Sequence, residues 1–217
     1  MTEFAEQRRM MVDTQVRPSD VTKFPIIDAM LSVERADFVP VARRGTAYAD
    51  GPVDLGQGRS LLEPRVLAKM LDALDLQPTE FVLTVGAGLG YTAALLARLT
   101  EAVVAVEEDS GLAEEAQRLL SDANADNVAI VDGSLAEGAA QMGPFDVVLV
   151  DGAVEAIPTA LTQQVKNGGR IAAIFMEGAL GVCRIGYKSD DGITWRDAFN
   201  ATAEILPGFF HARSFQL

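Results

Sequence analysis

Cysteine and histidine are almost absent from this chain of 217 residues: Cys183 and His211 are the only copies. A single cysteine excludes an internal disulfide and any multi-cysteine metal site. A single histidine argues against a histidine-based triad or a zinc centre, so no metal is expected and His211 reads as a surface or packing residue. Basic residues are scarce as well, 18 against 31 acidic, giving a formal net charge of −13. Such a balance repels phosphate backbones and speaks against a general nucleic-acid binder, leaving room only for a local basic patch such as Arg43, Arg44 and Arg59. Long apolar runs are also missing, since none approaches the roughly 18–20 residues needed to cross a bilayer. The opening "MTEFAEQRRMMVDTQVRP" is charged and lacks the apolar stretch of a signal peptide. The expectation is a cytoplasmic protein with no membrane partner.

What is present is an alternation of short apolar runs with helical periodicity. Beyond residue 80, "FVLTV" (81–85), "AVVAV" (102–106), "NVAIV" (127–131), "FDVVLV" (145–150) and "GRIAAIF" (169–175) read as buried strands. Helices are predicted over "YTAALLARL" and "SGLAEEAQRLLSDA" between them. That order implies βαβ units and a doubly wound, mostly parallel α/β sheet of Rossmann type. "VCRIGYK" (182–188) and the stretch near "NATAEIL" (200–206), separated by the turn signal "SDDG", predict an antiparallel hairpin at the sheet edge. The first eighty residues read differently. "VTKFPIIDAMLSV" and "EPRVLAKMLDAL" are helical, while "RRGTAYADGPVDLGQGRS" between them is Gly-rich and claimed by neither helix nor strand. It is expected to lie over the carboxyl ends of the sheet. With no repeat and no linker, residues 1–217 read as one domain, comprising an N-terminal helical and loop extension (1–79) and the sheet (80–217). The oligomeric state is not legible.

The chemistry gathers at strand ends. "VGAGLGY" places Gly86, Ala87, Gly88 and Gly90 between the first strand and its helix. Glycine permits tight turning and close approach of a ligand, and the helix start offers free N–H groups. Glycine turns of this kind also serve close packing alone, so the rest of the chain decides. Glu107 ends the next strand about 20 residues on, a spacing suited to accepting from ribose hydroxyls. "VDGS" supplies Asp132 and Gly133, with Asp132 able to accept from an adenine amino group, and "VDGAV" supplies Asp151. All sit where open α/β sheets bind ligands. The G-x-G-x-G spacing differs from the dinucleotide pattern, and an acid-rich pocket suits pyrophosphate poorly. A cationic, phosphate-free nucleoside such as S-adenosyl-L-methionine fits the electrostatics better.

These segments resemble the protein-L-isoaspartate O-methyltransferase family over nearly the whole chain. "VLTVGAGLGYTAALLA" is similar to the family's VLEIGTGSGYQAAVLA-type run, and "VERADFVP" to its VPR-x-x-FVP segment. "AYADGPVDLGQGRSLLEP" resembles its AY-x-D-x-PLPIG-x-GQTISQP loop, and "GPFDVVLVDGAVEAIPTALTQQVKNGGRIA" its APFD…IP-x-AL-x-x-QLK-x-GGRL segment. The resemblance implies an S-adenosylmethionine-dependent enzyme methylating isoaspartyl carboxylates in damaged peptides and proteins. It implies cofactor contacts from Gly86, Ala87, Gly88, Gly90, Glu107, Asp132, Gly133 and Asp151, and acceptor contacts from Gly58, Leu61 and Leu62. Three departures stand out: Leu62 replaces the serine of the family's TIS tripeptide, leaving Ser60 as the nearest hydroxyl and the candidate catalytic side chain. Thr84 replaces an acid, and Asp151 stands where threonine is usual. Weakened turnover, another acceptor or a cofactor-binding regulatory role are the alternatives this leaves.

Overall fold

The computed structural model describes residues 3–211. Helix α1 (Glu3–Met11) runs into a π turn over Val12–Val16 and a 3-10 turn at Arg17–Ser19. Sequence reading registered only the charge of this stretch. Its buried residues Met11, Val12 and Val16 stand among charged and polar neighbours, so the pattern is faint. Helix α2 (Phe24–Ser32) carries Pro25 in its first turn, and a 3-10 segment spans Val41–Thr46. The stretch read as irregular contains a small hairpin, β1 (Val53–Gly56) and β2 (Arg59–Leu61). Its two-residue turn, Gln57 and Gly58, has φ of 54° and 67°. Positive φ at both positions matches the twist of paired strands, a signal hidden by Gly56 just before the turn.

Helix α3 (Pro64–Leu74) buries Val66, Leu67, Met70, Leu71 and Leu74 along one face and ends at Asp75 in the left-handed region. Then come β3 (Phe81–Val85), α4 (Tyr91–Ala97), β4 (Ala102–Glu107) and α5 (Ser110–Asp122). The Asp109 carboxylate caps α5 by accepting from the Leu112 N–H. Strands β5 (Val128–Asp132) and β6 (Phe145–Val154) are joined by turns rather than a helix. Short α6 (Thr159–Gln163) precedes β7 (Val165–Glu177), β8 (Leu180–Ser189) and β9 (Gly192–Asn200).

Seven strands form one sheet in the order β5-β4-β3-β6-β7-β8-β9, parallel up to β7 and antiparallel thereafter. The edge hairpin exists, but its return arm is 192–200 rather than the stretch near 200–206. Ser189 pairs with Gly192, so the "SDDG" turn closes after two residues and pairing resumes at once. Residues 201–211 instead cross back over the sheet, where Ile205 bridges Ala153. Both faces are covered, which is why the central strands read as unbroken apolar runs. Val82, Val103, Val147 and Leu149 face the helical extension; Leu83, Val85, Val104 and Val148 face Leu135, Leu161, Leu206 and Phe209. Each such side chain contributes about 1.5–3 kcal/mol on full burial. Cys183 is buried in β8, and burial pushes its thiol up to about 12. His211 is exposed, its backbone N–H donating to Glu155.

Candidate functional site

The chain runs outward from β3 to β5 and then returns to lay β6 beside β3, so the strand order reverses between those two. The crevice outside their carboxyl ends is where open sheets take ligands. Gly86, Gly88 and Gly90 all have positive φ, 90°, 55° and 96°. The Gly86 and Ala87 N–H groups donate to Val106 O at 2.9 and 3.0 Å, fastening the turn to β4. Glu107, with no exposed surface, accepts through Oε2 from Gly88 N at 2.7 Å and Arg59 Nη2 at 3.0 Å. Its Oε1 accepts from the N–H groups of Glu108 and Asp109. Asp132 lies opposite Glu107 in the β4–β5 pairing and is exposed, and Gly133 N donates to Glu107 O at 3.0 Å. The structure thus brings Gly86, Ala87, Gly88, Glu107, Asp132 and Gly133 together. Gly90 faces elsewhere. A Cβ there would lie 3.2 Å from Leu120 of α5, so this glycine serves helix packing.

Asp151 reaches the same crevice from β6 and is 4% exposed. Its Oδ1 has no hydrogen-bond partner among the described residues. Burial pushes its carboxyl up to about 6, opposed by the Thr92 hydroxyl and the charges of Arg59 and Arg35. Arg35 is fully buried. It donates to Ala47 O and Leu62 O, both at 2.7 Å, and its guanidinium lies 4.9 Å from the Tyr91 ring centroid. It thereby ties together the two ends of the loop that carries the β1–β2 hairpin. Burial lowers the pKa of its guanidinium. Thr84, where the family pattern has an acid, is buried, and its hydroxyl has no partner among the described residues.

The hairpin lies over the glycine turn, as the sequence predicts. A Cβ on Gly88 would meet Leu55 at 2.7 Å, and one on Gly86 would meet Arg59 Nη2 at 2.9 Å and Leu206 at 3.0 Å. Glycine is required here because these side chains rest directly on the backbone. Arg43, Arg44 and Arg59, for which the net charge left room as a local basic patch, do not gather into one. Arg43 pairs outward with Asp54 at 3.1 Å and Arg44 lies 3.9 Å from Asp37, whereas Arg59 turns inward and is 4% exposed. Each strand alternates strictly, so that Val53 and Leu55 of β1 and Arg59 and Leu61 of β2 all face in. That alternation also separates the candidate acceptor residues. Gly58 is at the exposed tip and Leu61 is core, paired with Val53, while Ser60 and Leu62 line a cleft of about 320 Å³ with Thr202, Ala203 and Glu204. Sequence reading missed Arg35, Leu55 and Leu206. Arg35 stands within the "VERADFVP" segment, but nothing in its spacing told of a loop clamp. A larger groove, about 910 Å³ between α2, α4 and α5, shares none of the glycine-turn or hairpin residues.

The sequence model of the protein-L-isoaspartate(D-aspartate) O-methyltransferase family matches residues 6–197. A protein-L-isoaspartate O-methyltransferase of Koribacter versatilis is 37% identical over 171 residues, covering 79% of this chain and 77% of that one. The protein of that name from Methylorubrum extorquens is 42% identical over 168 residues, covering 77% and 73%. Among solved structures, a protein-L-isoaspartate O-methyltransferase superposes with a TM-score of 0.80 at 23% identity, over 93% of this chain and 66% of that chain. A structure of the same description from Plasmodium falciparum, in complex with S-adenosyl-L-homocysteine, gives 0.78 at 18% identity over 95% and 99%. The two structures share the fold, and the sequence matches establish the kinship: this chain belongs to the protein-L-isoaspartate(D-aspartate) O-methyltransferase family.

Proposed function

We propose that this chain transfers a methyl group from S-adenosyl-L-methionine to the carboxylate of isoaspartyl residues in damaged peptides and proteins. The observation that carries the reading is Glu107, a wholly buried carboxylate at the end of β4, hydrogen-bonded to the Gly88 N–H of the glycine turn. A ribose diol needs an acceptor of this kind, and the glycines allow a nucleoside to approach the backbone. The unpaired Asp151 Oδ1 and the unpaired Arg59 nitrogens suit a polar ligand. The residues fit the cofactor, provided that Leu55, Arg59 and Leu206 shift from the glycine turn as it binds.

When bound, the cofactor supplies an electrophilic methyl on sulfonium: a carboxylate oxygen forms the C–O bond while the C–S pair stays on sulfur, leaving a methyl ester and a thioether. An α-carboxyl with a reference pKa of about 3.5 is already ionised, so no general base is needed. The chain's own work is alignment and exclusion of water. Alignment of two reactants supplies roughly 7–11 kcal/mol. Glu107 and the glycine turn orient the nucleoside, while the hairpin, held by Arg35, covers the reacting end. Asp132, Gly133 and Asp151 complete the cofactor contacts in this reading, and Ser60, Gly58 and Leu62 border the acceptor. The reaction is assigned to a single-domain, cytoplasmic protein. Among the described residues no helix is long and apolar enough to cross a membrane. A second reading, cofactor binding without isoaspartyl turnover, is favoured by Leu62, which is 2% exposed where the family has a serine. Radiolabelled methyl transfer to an isoaspartyl peptide beside its aspartyl twin separates the two. Label on the isoaspartyl peptide alone supports the enzyme, and label on neither, with cofactor bound, supports the second reading.

A further inference from the structure

We propose that Arg59 is the residue with which this chain grips a ligand carboxylate, an inference that rests on the reading of Glu107 as a ribose acceptor. Arg59 is 4% exposed and bonds Glu107 through Nη2, while its Nε and Nη1 have no partner among the described residues. A buried guanidinium with two unmet donors is an anion site only partly filled. Of the four donors on the Glu107 carboxylate, three are backbone N–H groups and cannot leave; Arg59 is the one that can. Ribose hydroxyls that come to Glu107 therefore displace Arg59. Asp151, whose Oδ1 also lacks a partner among the described residues, can take one edge of the guanidinium, and the remaining donors call for a ligand anion in a place closed to water.

Geometry limits where that anion lies. The Arg59 Nη2 is 2.9 Å, and the Asp151 carbonyl 3.4 Å, from the point where a Gly86 Cβ would stand, so the guanidinium sits between the glycine turn and β6. The next residue, Ser60, and then Leu62 line the cleft against Thr202–Glu204. Arg59 thus stands between the nucleoside carboxylate and the acceptor cleft. The family pattern resembled by this loop has glutamine here and serine at the Leu62 position. A planar guanidinium fork supplies the donors that Leu62 lacks, and it matches a carboxylate two bonds at a time. Two ligands bring one: the amino-acid end of the cofactor and the isoaspartyl acceptor.

The test titrates S-adenosylhomocysteine and 5′-methylthioadenosine, the same nucleoside without the amino-acid carboxylate, into the parent protein and Arg59→Gln. It also measures KM and kcat for an isoaspartyl peptide. If the cofactor supplies the carboxylate, Arg59→Gln weakens S-adenosylhomocysteine by at least about tenfold and leaves methylthioadenosine unchanged. If the acceptor supplies it, both nucleosides bind as before and KM rises by at least about tenfold with a smaller change in kcat. Arg59→Lys, which keeps the charge without the fork, gives an intermediate loss and serves if the glutamine variant does not fold. Unchanged values throughout overturn the proposal, as does a tightening of both nucleosides alike, which would make Arg59 a mere plug. A parent protein that binds neither nucleoside overturns the cofactor reading itself.

Discussion

The two ends of the same sheet handle buried charge in opposite ways. At the amino end, Arg170 makes two bonds to Glu80, at 2.8 and 2.9 Å, and donates further to Leu74 O and Asp75 O. Beside it Asp146 accepts from Phe81 N and from Lys166, and the lysine and the backbone N–H hold its carboxyl below the usual range. Each charge there meets its partner near solvent. At the carboxyl end Glu107 and Arg59 are wholly or almost wholly buried, and Arg59 and Asp151 keep polar atoms without partners. A charge network that only fastened strands would satisfy its own donors, since burying an unpaired one costs free energy. The amino end is therefore fastening, and the unmet polar atoms of the carboxyl end are those that the proposed cofactor would meet.

Removing one member of each pair sharpens that contrast. Glu107→Ala strands the Arg59 guanidinium in the interior and is expected to lower the unfolding free energy by about 3–5 kcal/mol in urea titrations. Adding Arg59→Leu should recover most of that loss, because apolar side chains replace a buried ion pair well. A loss no larger than that of a surface pair would place Arg59 in water. Leu62→Ser restores the family hydroxyl. If one oriented donor is worth about 2–4 kcal/mol in the transition state, turnover on an isoaspartyl peptide rises accordingly without tighter cofactor binding. Parent turnover already equal to that of a serine-bearing relative would show that Leu62 is harmless.

Asp151→Asn tests the cost of the third carboxyl. Its folded value of about 6 lies above the ordinary 3.8, so between them the folded chain holds the proton more firmly than the unfolded chain. Stability from this group is present at low pH and is lost as pH rises through about 6. The asparagine variant should gain up to about 3 kcal/mol at pH 8 and little at pH 4, read from denaturation at both. An equal change at both pH values contradicts the assignment. The smallest effect belongs to the amino end: Glu80→Ala should cost about 1–2 kcal/mol of stability and leave S-adenosylhomocysteine affinity untouched.

Strands β3, β4, β6 and β7 were legible because their central residues are buried on both faces, and half-buried β5 because it too reads as an apolar run. Glu107 and the glycines were legible because they stand at strand ends. The β1–β2 hairpin was not legible. Its strands are only four and three residues long, too short for their alternation to mark Arg59 and Leu55 as inward, and Gly56, Gln57 and Gly58 mask the pairing. Arg35 was not legible as a clamp, since its partners are the backbone carbonyls of Ala47 and Leu62, which leave no trace in side-chain spacing. The return arm of the edge hairpin was displaced because "ITWRDAF" mixes charge into a half-exposed edge strand, while "NATAEIL" is the more apolar-looking segment.

Calorimetric titration of S-adenosylhomocysteine into the parent protein and Glu107→Gln, with Glu80→Gln as the amino-end control, distinguishes a ligand site from a fastening. Binding by the parent, a loss of about 1–3 kcal/mol in Glu107→Gln and none in Glu80→Gln is the predicted result. No binding by the parent, or equal affinity in a folded Glu107→Gln, would contradict the assignment of the carboxyl end as the cofactor site.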